Sequence, residues 1–95
     1  MKQLEIHEEL TIFTAAEQKN NLLGFLNTDD ELEINLAHVD EIDTAGLQLL
    51  ILAKREAAKT HKVLRFVMHS KAVLDILELS NLTTAFGDQI VLANN

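Results

Sequence analysis

The stretch that decides the fold is Val39-Asp-Glu-Ile-Asp-Thr-Ala-Gly-Leu-Gln-Leu-Leu50. An apolar segment ends at paired acids, a threonine precedes two small residues, and a strongly apolar run begins at once. Asp43 or Thr44 is suited to cap a helix, because its side-chain oxygen can accept hydrogen bonds from the unpaired N–H groups of a first helical turn. We therefore predict a helix that starts here and runs to about Lys59, with its apolar first half mostly buried.

The hydroxyl of Thr44 is the chemically distinctive group of this stretch. Ala45 and Gly46 have almost no side chain, so they leave the hydroxyl accessible and let another surface approach the backbone closely. A helix N-terminus favours anions, and a phosphate on Thr44 could bond its free N–H groups. Asp40 and Asp43 already make the loop acidic, so the roughly −1.5 to −2 charges of a phosphate would change its attraction to a partner. The alternative is that Asp43 and Thr44 only cap the helix.

Outward from this stretch, periodicity predicts alternating strands and helices. Residues 2–7, 31–37 and 62–68 have strand patterns, with Leu10 and Ile12 continuing the first alternation. Residues 62–68 are apolar on both faces, which is typical of a central strand. Thr14-Ala-Ala-Glu17 is a capping box for a helix that ends near Leu26.

The last third of the chain completes the predicted order. Ser70 is a good N-cap for a helix over residues 71–79, and Gln89 to Leu92 could form a short final strand. The order β-α-β-α-β-α-β predicts an α/β fold with a mixed, mostly parallel sheet of about four strands and about three helices.

Composition bounds the function. The 95 residues fit one domain, 1–95, and 47% of them are hydrophobic. A net charge of −7 argues against nucleic-acid and anionic-lipid partners, although solubility alone also explains it. There is no cysteine, no apolar run long enough to span a membrane, and no signal-peptide core in Met1–Leu10. We therefore expect a cytoplasmic protein with no direct membrane insertion.

Catalysis is not expected. His7, His38, His61 and His69, together with Asp40 and Asp43, could suggest acid–base or metal chemistry. The histidines lack close metal-ligand spacing, no nucleophile–base–acid motif is visible, and the three glycines are scattered rather than grouped into a phosphate cradle. We predict no enzymatic activity, no cofactor and no metal.

The segment Ile42-Asp-Thr-Ala-Gly-Leu-Gln-Leu-Leu50 resembles the signature of STAS domains, the family of bacterial anti-sigma factor antagonists. Glu8-Glu-Leu-Thr11, Leu36-Ala-His-Val39 and residues 73–82 resemble other parts of the family, so the resemblance covers about residues 3 to 82. By position, Asp43 matches the family's acid, Thr44 its phosphorylated hydroxyl residue and Gly46 its glycine. Thr44 replaces the commoner serine, and Thr11 replaces a common aspartate.

The resemblance implies a regulator that acts through protein binding. Unmodified, a surface formed by Asp43, Thr44, Ala45, Gly46 and Leu47, with Asp40 and Thr11 at its rim, would bind a serine kinase that is also an anti-sigma factor. Phosphorylation of Thr44 would repel that partner and a phosphatase would reset the cycle.

The resemblance also implies an alternative without a phosphate cycle. It is a constitutive adapter that binds the ATPase of a bacterial lipid-transport ABC complex, or a chemotaxis-linked assembly. Compared with the family, the chain begins too late for the usual first strand and ends too early for the usual last helix. We therefore expect a smaller sheet whose exposed surface could also form a homodimer.

Overall fold

The computed structural model describes residues 1–80, in which three strands alternate with three helices. In chain order these are β1 (Lys2–Glu5), α1 (Ala15–Phe25), β2 (Glu31–Asn35), α2 (Thr44–Lys59), β3 (Val63–Val67) and α3 (Lys71–Leu79). The α/β prediction and the three helices are confirmed. Within residues 1–80 the sheet has three strands and is wholly parallel rather than mixed. The predicted strand at Gln89 to Leu92 lies outside the described residues.

The sheet buries one of its faces. Strand order is β1-β2-β3, and the register aligns Leu4 with Ile34 and Ile34 with Phe66. Side chains alternate between faces along a strand, so these three residues point the same way. Ile34 and Phe66 belong to one apolar cluster against which half-buried Leu4 packs. The cluster includes buried residues from all three helices: Leu22, Leu47, Leu50, Ala53, Ala57, Val73 and Leu77. The helices therefore cover this face of the sheet.

The opposite face carries polar side chains. Gln3 Nε2 donates to Glu33 Oε1 at 2.6 Å, and Arg65 lies 3.9 Å from Glu31. In β3, Arg65 is exposed and Val63 is 49% exposed, while Leu64 and Phe66 are buried. The prediction that β3 is apolar and buried on both faces was therefore wrong.

The long helix α2 has the predicted bounds and burial. Leu47, Leu50, Ala53 and Ala57 recur every three or four residues and are all nearly inaccessible. The second half of the helix also carries half-buried Lys54 and the exposed residues Arg55, Ala58 and Lys59. Within residues 1–80, none of the three helices has the length and hydropathy needed to cross a bilayer.

The helix α1 begins where predicted but without the predicted capping box. The Thr14 hydroxyl donates to the Glu9 carbonyl at 2.7 Å and accepts from the Thr11 N–H at 3.1 Å. It makes no bond to the first turn of α1, and Glu17 is exposed. The Thr14 hydroxyl therefore bonds the loop before α1 and does not cap the helix as the sequence pattern predicted.

Candidate functional site

Asp43 caps α2 and also ties it to the loop before α1. One carboxylate oxygen accepts from the Gly46 N–H at 3.0 Å, and the other accepts from the Ile12 N–H at 3.0 Å. The Asp43 N–H donates to the Leu10 carbonyl at 3.1 Å. Asp43 and not Thr44 is therefore the cap, and it joins two segments that are distant in the sequence.

The hydrogen bonds to Asp43 stabilise its charged form. The Ile12 N–H and then the Gly46 N–H hold the pKa of the Asp43 carboxyl below its ordinary value of 3.8. The carboxylate is consequently ionised at neutral pH and supplies a fixed negative charge beside Thr44.

Gly46 lies in contact with the backbone of another segment. A Cβ at this position would stand 1.9 Å from the Leu10 carbonyl oxygen and 2.6 Å from the Leu10 carbonyl carbon. Real Cβ atoms essentially never approach another atom within 3.0 Å. The glycine therefore lets α2 and the Leu10 backbone pack together within this chain, which is the close approach that the sequence left open to a partner.

Thr44 is the first residue of α2, and its side chain is exposed. Within residues 1–80 its hydroxyl has no hydrogen-bond partner, so it remains available to another molecule. One of the N–H groups at the helix start, that of Gly46, already donates to Asp43. A phosphate here would act mainly through its charge rather than by filling that donor.

A tight turn beside Asp43 exposes two large apolar side chains. The Thr14 N–H donates to the Thr11 carbonyl at 3.0 Å, which closes the turn over residues 11–14. At its tip Ile12 is 69% exposed and Phe13 is 90% exposed. The prediction that Ile12 continues the inward alternation of Leu10 was therefore wrong. Adjacent exposed hydrophobic residues are typical of binding anchors.

The sequence contained a signal for this turn that the prediction did not use. Ile12 and Phe13 are consecutive, so both cannot point inward on one strand.

We call the group formed by Ile12, Phe13, Asp43, Thr44 and Ala45 the Thr44 surface. Ala45 and Asp43 are half-buried within it.

The other predicted site residues lie at different depths. Asp40 is exposed on the segment that leads into α2, whereas Thr11, Gly46 and Leu47 are buried, with Leu47 1% exposed. The buried Thr11 hydroxyl donates to Glu9 Oε1 at 2.9 Å and so stabilises the turn over residues 11–14 from the inside of the protein. Direct contact between a partner and the buried side chains would require the Thr44 surface to open.

The segment leading into α2 is anchored on both sides. Buried Ser70, the N-cap of α3, accepts from the Val73 N–H and donates its hydroxyl to the Val39 carbonyl at 2.6 Å. The Leu10 N–H donates to the Glu41 carbonyl at 2.9 Å. These bonds hold exposed Asp40 and the start of α2 in a defined position.

Comparisons with known proteins agree with the predicted resemblance. A family model described as Mlab, STAS domain, matches residues 2–92. A solved structure of a candidate anti-sigma factor antagonist from Thermotoga maritima superposes with a TM-score of 0.76 and 21% sequence identity, covering 98% of this chain and 78% of that one. At that identity the second likeness supports the fold alone. No curated protein matched the chain.

Proposed function

We propose that the chain, which belongs to the STAS domain family, is an anti-sigma factor antagonist-like regulator that works by phosphorylation-controlled protein binding. The observation that carries the proposal is an exposed hydroxyl, that of Thr44, next to the exposed apolar tip Ile12–Phe13. The chain shares its fold with the Thermotoga candidate anti-sigma factor antagonist. Its role would be binding, in the bacterial cytoplasm, rather than catalysis.

In the unmodified state the Thr44 surface would bind a serine kinase that is also an anti-sigma factor. Phe13 is the natural anchor, because burying a nearly fully exposed aromatic ring removes a large apolar area from water. The ionised Asp43 accepts from the Ile12 N–H at the base of the turn that carries Phe13, and exposed Asp40 and Glu41 precede Asp43 on the same segment. The matching partner surface is an apolar pocket with basic groups at its rim.

Phosphorylation would reverse this binding. The kinase would transfer the γ-phosphoryl group of ATP to the Thr44 oxygen, while the hydroxyl proton passes to a base on the kinase and ADP leaves. The product adds about −1.5 to −2 charges next to Asp43, where desolvation by a partner becomes costly. A phosphatase would hydrolyse the ester with water, releasing phosphate and restoring the hydroxyl.

The second candidate function is a constitutive adapter. The description of the matching family model names a STAS domain and no regulatory role. In this case the Thr44 surface would bind the ATPase of a lipid-transport ABC complex, or a chemotaxis-linked assembly, with no phosphate cycle. The two candidates differ in whether charge at Thr44 controls binding.

The test compares the same charge at the two ends of α2. Thr44→Glu places it on the Thr44 surface, and Thr60→Glu places it at the exposed far end of the helix. Binding of both variants to the serine kinase/anti-sigma factor of the source organism is measured by calorimetry. Mass spectrometry maps phosphate after incubation with the kinase and ATP.

The regulator predicts phosphate on Thr44 and at least roughly tenfold weaker binding by Thr44→Glu, equivalent to about 1.4 kcal/mol. Thr60→Glu should bind like the wild type. Full binding by Thr44→Glu together with no phosphate on Thr44 would exclude the regulator. Binding to an ABC ATPase that is insensitive to Thr44→Glu would favour the adapter.

A further inference from the structure

Three side chains with metal-binding atoms converge at one edge of the sheet. Glu5 ends β1, His7 follows two residues later, and His38 follows β2. Because β1 and β2 are parallel, with Glu5 aligned to Asn35, the chain leaves both strands at the same edge. The helix α1 separates these residues in sequence while the sheet brings them together.

The side chains of Glu5, His7 and His38 lie close to one another. His7 Nε2 lies 3.1 Å from Glu5 Oε1, and the rings of His7 and His38 stack with centroids 4.6 Å apart at 16°. One ligand atom from each of the three residues lies within 4.8 Å of the others. Atoms around a tetrahedral Zn²⁺ with bonds of about 2.0–2.1 Å stand about 3.3 Å apart, so the two imidazole rings would rotate out of their stacked arrangement to direct both nitrogens at one ion.

We propose that Glu5, His7 and His38 form a binding site for a divalent transition-metal ion of the Zn²⁺ type. Two imidazoles and one carboxylate suit Zn²⁺, Ni²⁺ or Cu²⁺, whereas Mg²⁺ and Ca²⁺ prefer oxygen ligands alone. Three protein ligands leave a fourth position open to water or to a ligand from another molecule. The site shares no residue with the Thr44 surface.

The backbone beneath the three ligands is held in place although their side chains are exposed. Ile6, between Glu5 and His7, is buried and donates its N–H to the Asn35 carbonyl at 3.3 Å. Val39, next to His38, is fully buried and accepts from Ser70. A surface ion pair accounts for the Glu5–His7 contact and ring stacking accounts for His38 against His7, whereas metal binding accounts for both contacts together.

A bound ion would join two segments that also meet at Asp43. His38 lies on the segment that connects β2 to α2, and His7 lies on the segment that connects β1 to α1. The Leu10–Glu41 and Asp43–Ile12 hydrogen bonds already link these segments. Together with the bond from the Asp43 N–H to the Leu10 carbonyl, three hydrogen bonds join the segments, and the ion would add a further link that stiffens the support of the Thr44 surface.

The experiment titrates Zn²⁺ into EDTA-treated, tag-free protein by isothermal titration calorimetry. The variants are His7→Ala, His38→Ala and Glu5→Gln, and His61→Ala is the matched control because His61 is also exposed but lies outside the group. Thermal unfolding without metal checks that each variant remains folded, and thermal unfolding with Zn²⁺ gives a second readout of binding.

We expect one Zn²⁺ per chain in the wild type and in His61→Ala, and a higher melting temperature for both when metal is present. His7→Ala and His38→Ala should each weaken binding by at least about tenfold and remove the thermal shift. Glu5→Gln should weaken binding less, since an amide oxygen remains. The absence of stoichiometric binding by the wild type, or wild-type affinity in both histidine variants, would overturn the site.

Discussion

Replacing Gly46 with alanine sets helix propensity against packing. In a helix interior, alanine is more favourable than glycine by about 1 kcal/mol, so propensity alone predicts stabilisation. The structure predicts the opposite, because the new Cβ would lie 1.9 Å from the Leu10 carbonyl oxygen. That oxygen belongs to the backbone, so no side-chain rotation can relieve the clash.

The expected loss of stability in Gly46→Ala follows from the displacement of Leu10. The Leu10 oxygen must retreat from 1.9 Å to at least 3.0 Å, and the same residue makes two backbone hydrogen bonds, with Asp43 and Glu41. Losing both would cost about 0.5–1.5 kcal/mol each. Displacing the fully buried Leu10 side chain adds a packing loss of about 1–3 kcal/mol. After the propensity gain of about 1 kcal/mol, we expect a net destabilisation of about 1–5 kcal/mol, centred near 3 kcal/mol.

Gly24 offers a matched control in the same chain. It lies in α1, is exposed, and a Cβ there would have nothing within 4 Å. Gly24→Ala should therefore stabilise the protein by about 0.5–1 kcal/mol. The same chemical change would then shift stability in opposite directions at two helical positions.

Urea unfolding gives the free energy of unfolding of both variants and thermal unfolding gives their melting temperatures, each followed by circular dichroism. For a chain of this size, 1 kcal/mol corresponds to roughly 4–8 °C in melting temperature, so Gly46→Ala should melt about 10 °C or more below the wild type. The reasoning is refuted if Gly46→Ala is as stable as the wild type, or if both glycine variants shift stability in the same direction.

Three further substitutions test the capping bonds and the apolar turn. Ser70→Ala should lower the free energy of unfolding by about 2 kcal/mol in a urea titration. The substitution removes an N-cap and leaves the buried Val39 carbonyl without its hydrogen-bond donor. A change below about 0.5 kcal/mol would contradict this prediction. The lowered pKa of Asp43 contributes stability that is complete above pH 3.8 and is lost as the pH falls through the pKa of the folded state. The difference in melting temperature between wild type and Asp43→Asn should therefore shrink in acid. A difference that stays constant with pH would argue against this contribution. Phe13→Ser should change the free energy of unfolding by less than about 0.5 kcal/mol, since the ring is 90% exposed. It should nevertheless weaken binding of the kinase/anti-sigma factor, measured by calorimetry. Unchanged binding would show that Phe13 is not part of the interface.

The helices could be predicted because their signals are local. Asp43 and Ser70 both bond the N–H three residues later, as the sequence pattern indicated. Thr14 had the same local pattern, but its hydroxyl instead bonds Glu9 and Thr11 in the preceding loop. A capping residue is therefore predictable only when no neighbouring loop competes for its oxygen.

The candidate site was predictable in part for the same reason. The exposed Thr44 hydroxyl follows from its place at a helix start, but the function of Gly46 depends on Leu10, which lies far away in sequence. The exposure of Phe13 depends on the turn that Thr11 and Thr14 close. The grouping of His7 with His38 depends on strand register. Each of these features requires the tertiary fold.

Asp43 connects the predicted and unpredicted parts of the site. One carboxylate oxygen makes the local bond to Gly46, and the other holds the Ile12 N–H and so fixes the base of the apolar turn. A phosphate on the neighbouring Thr44 would place further negative charge beside this carboxylate. That charge would therefore lie directly beside the residue that positions Ile12 and Phe13. Substitution of Asp43 should for this reason alter partner binding even where Asp43 itself makes no contact.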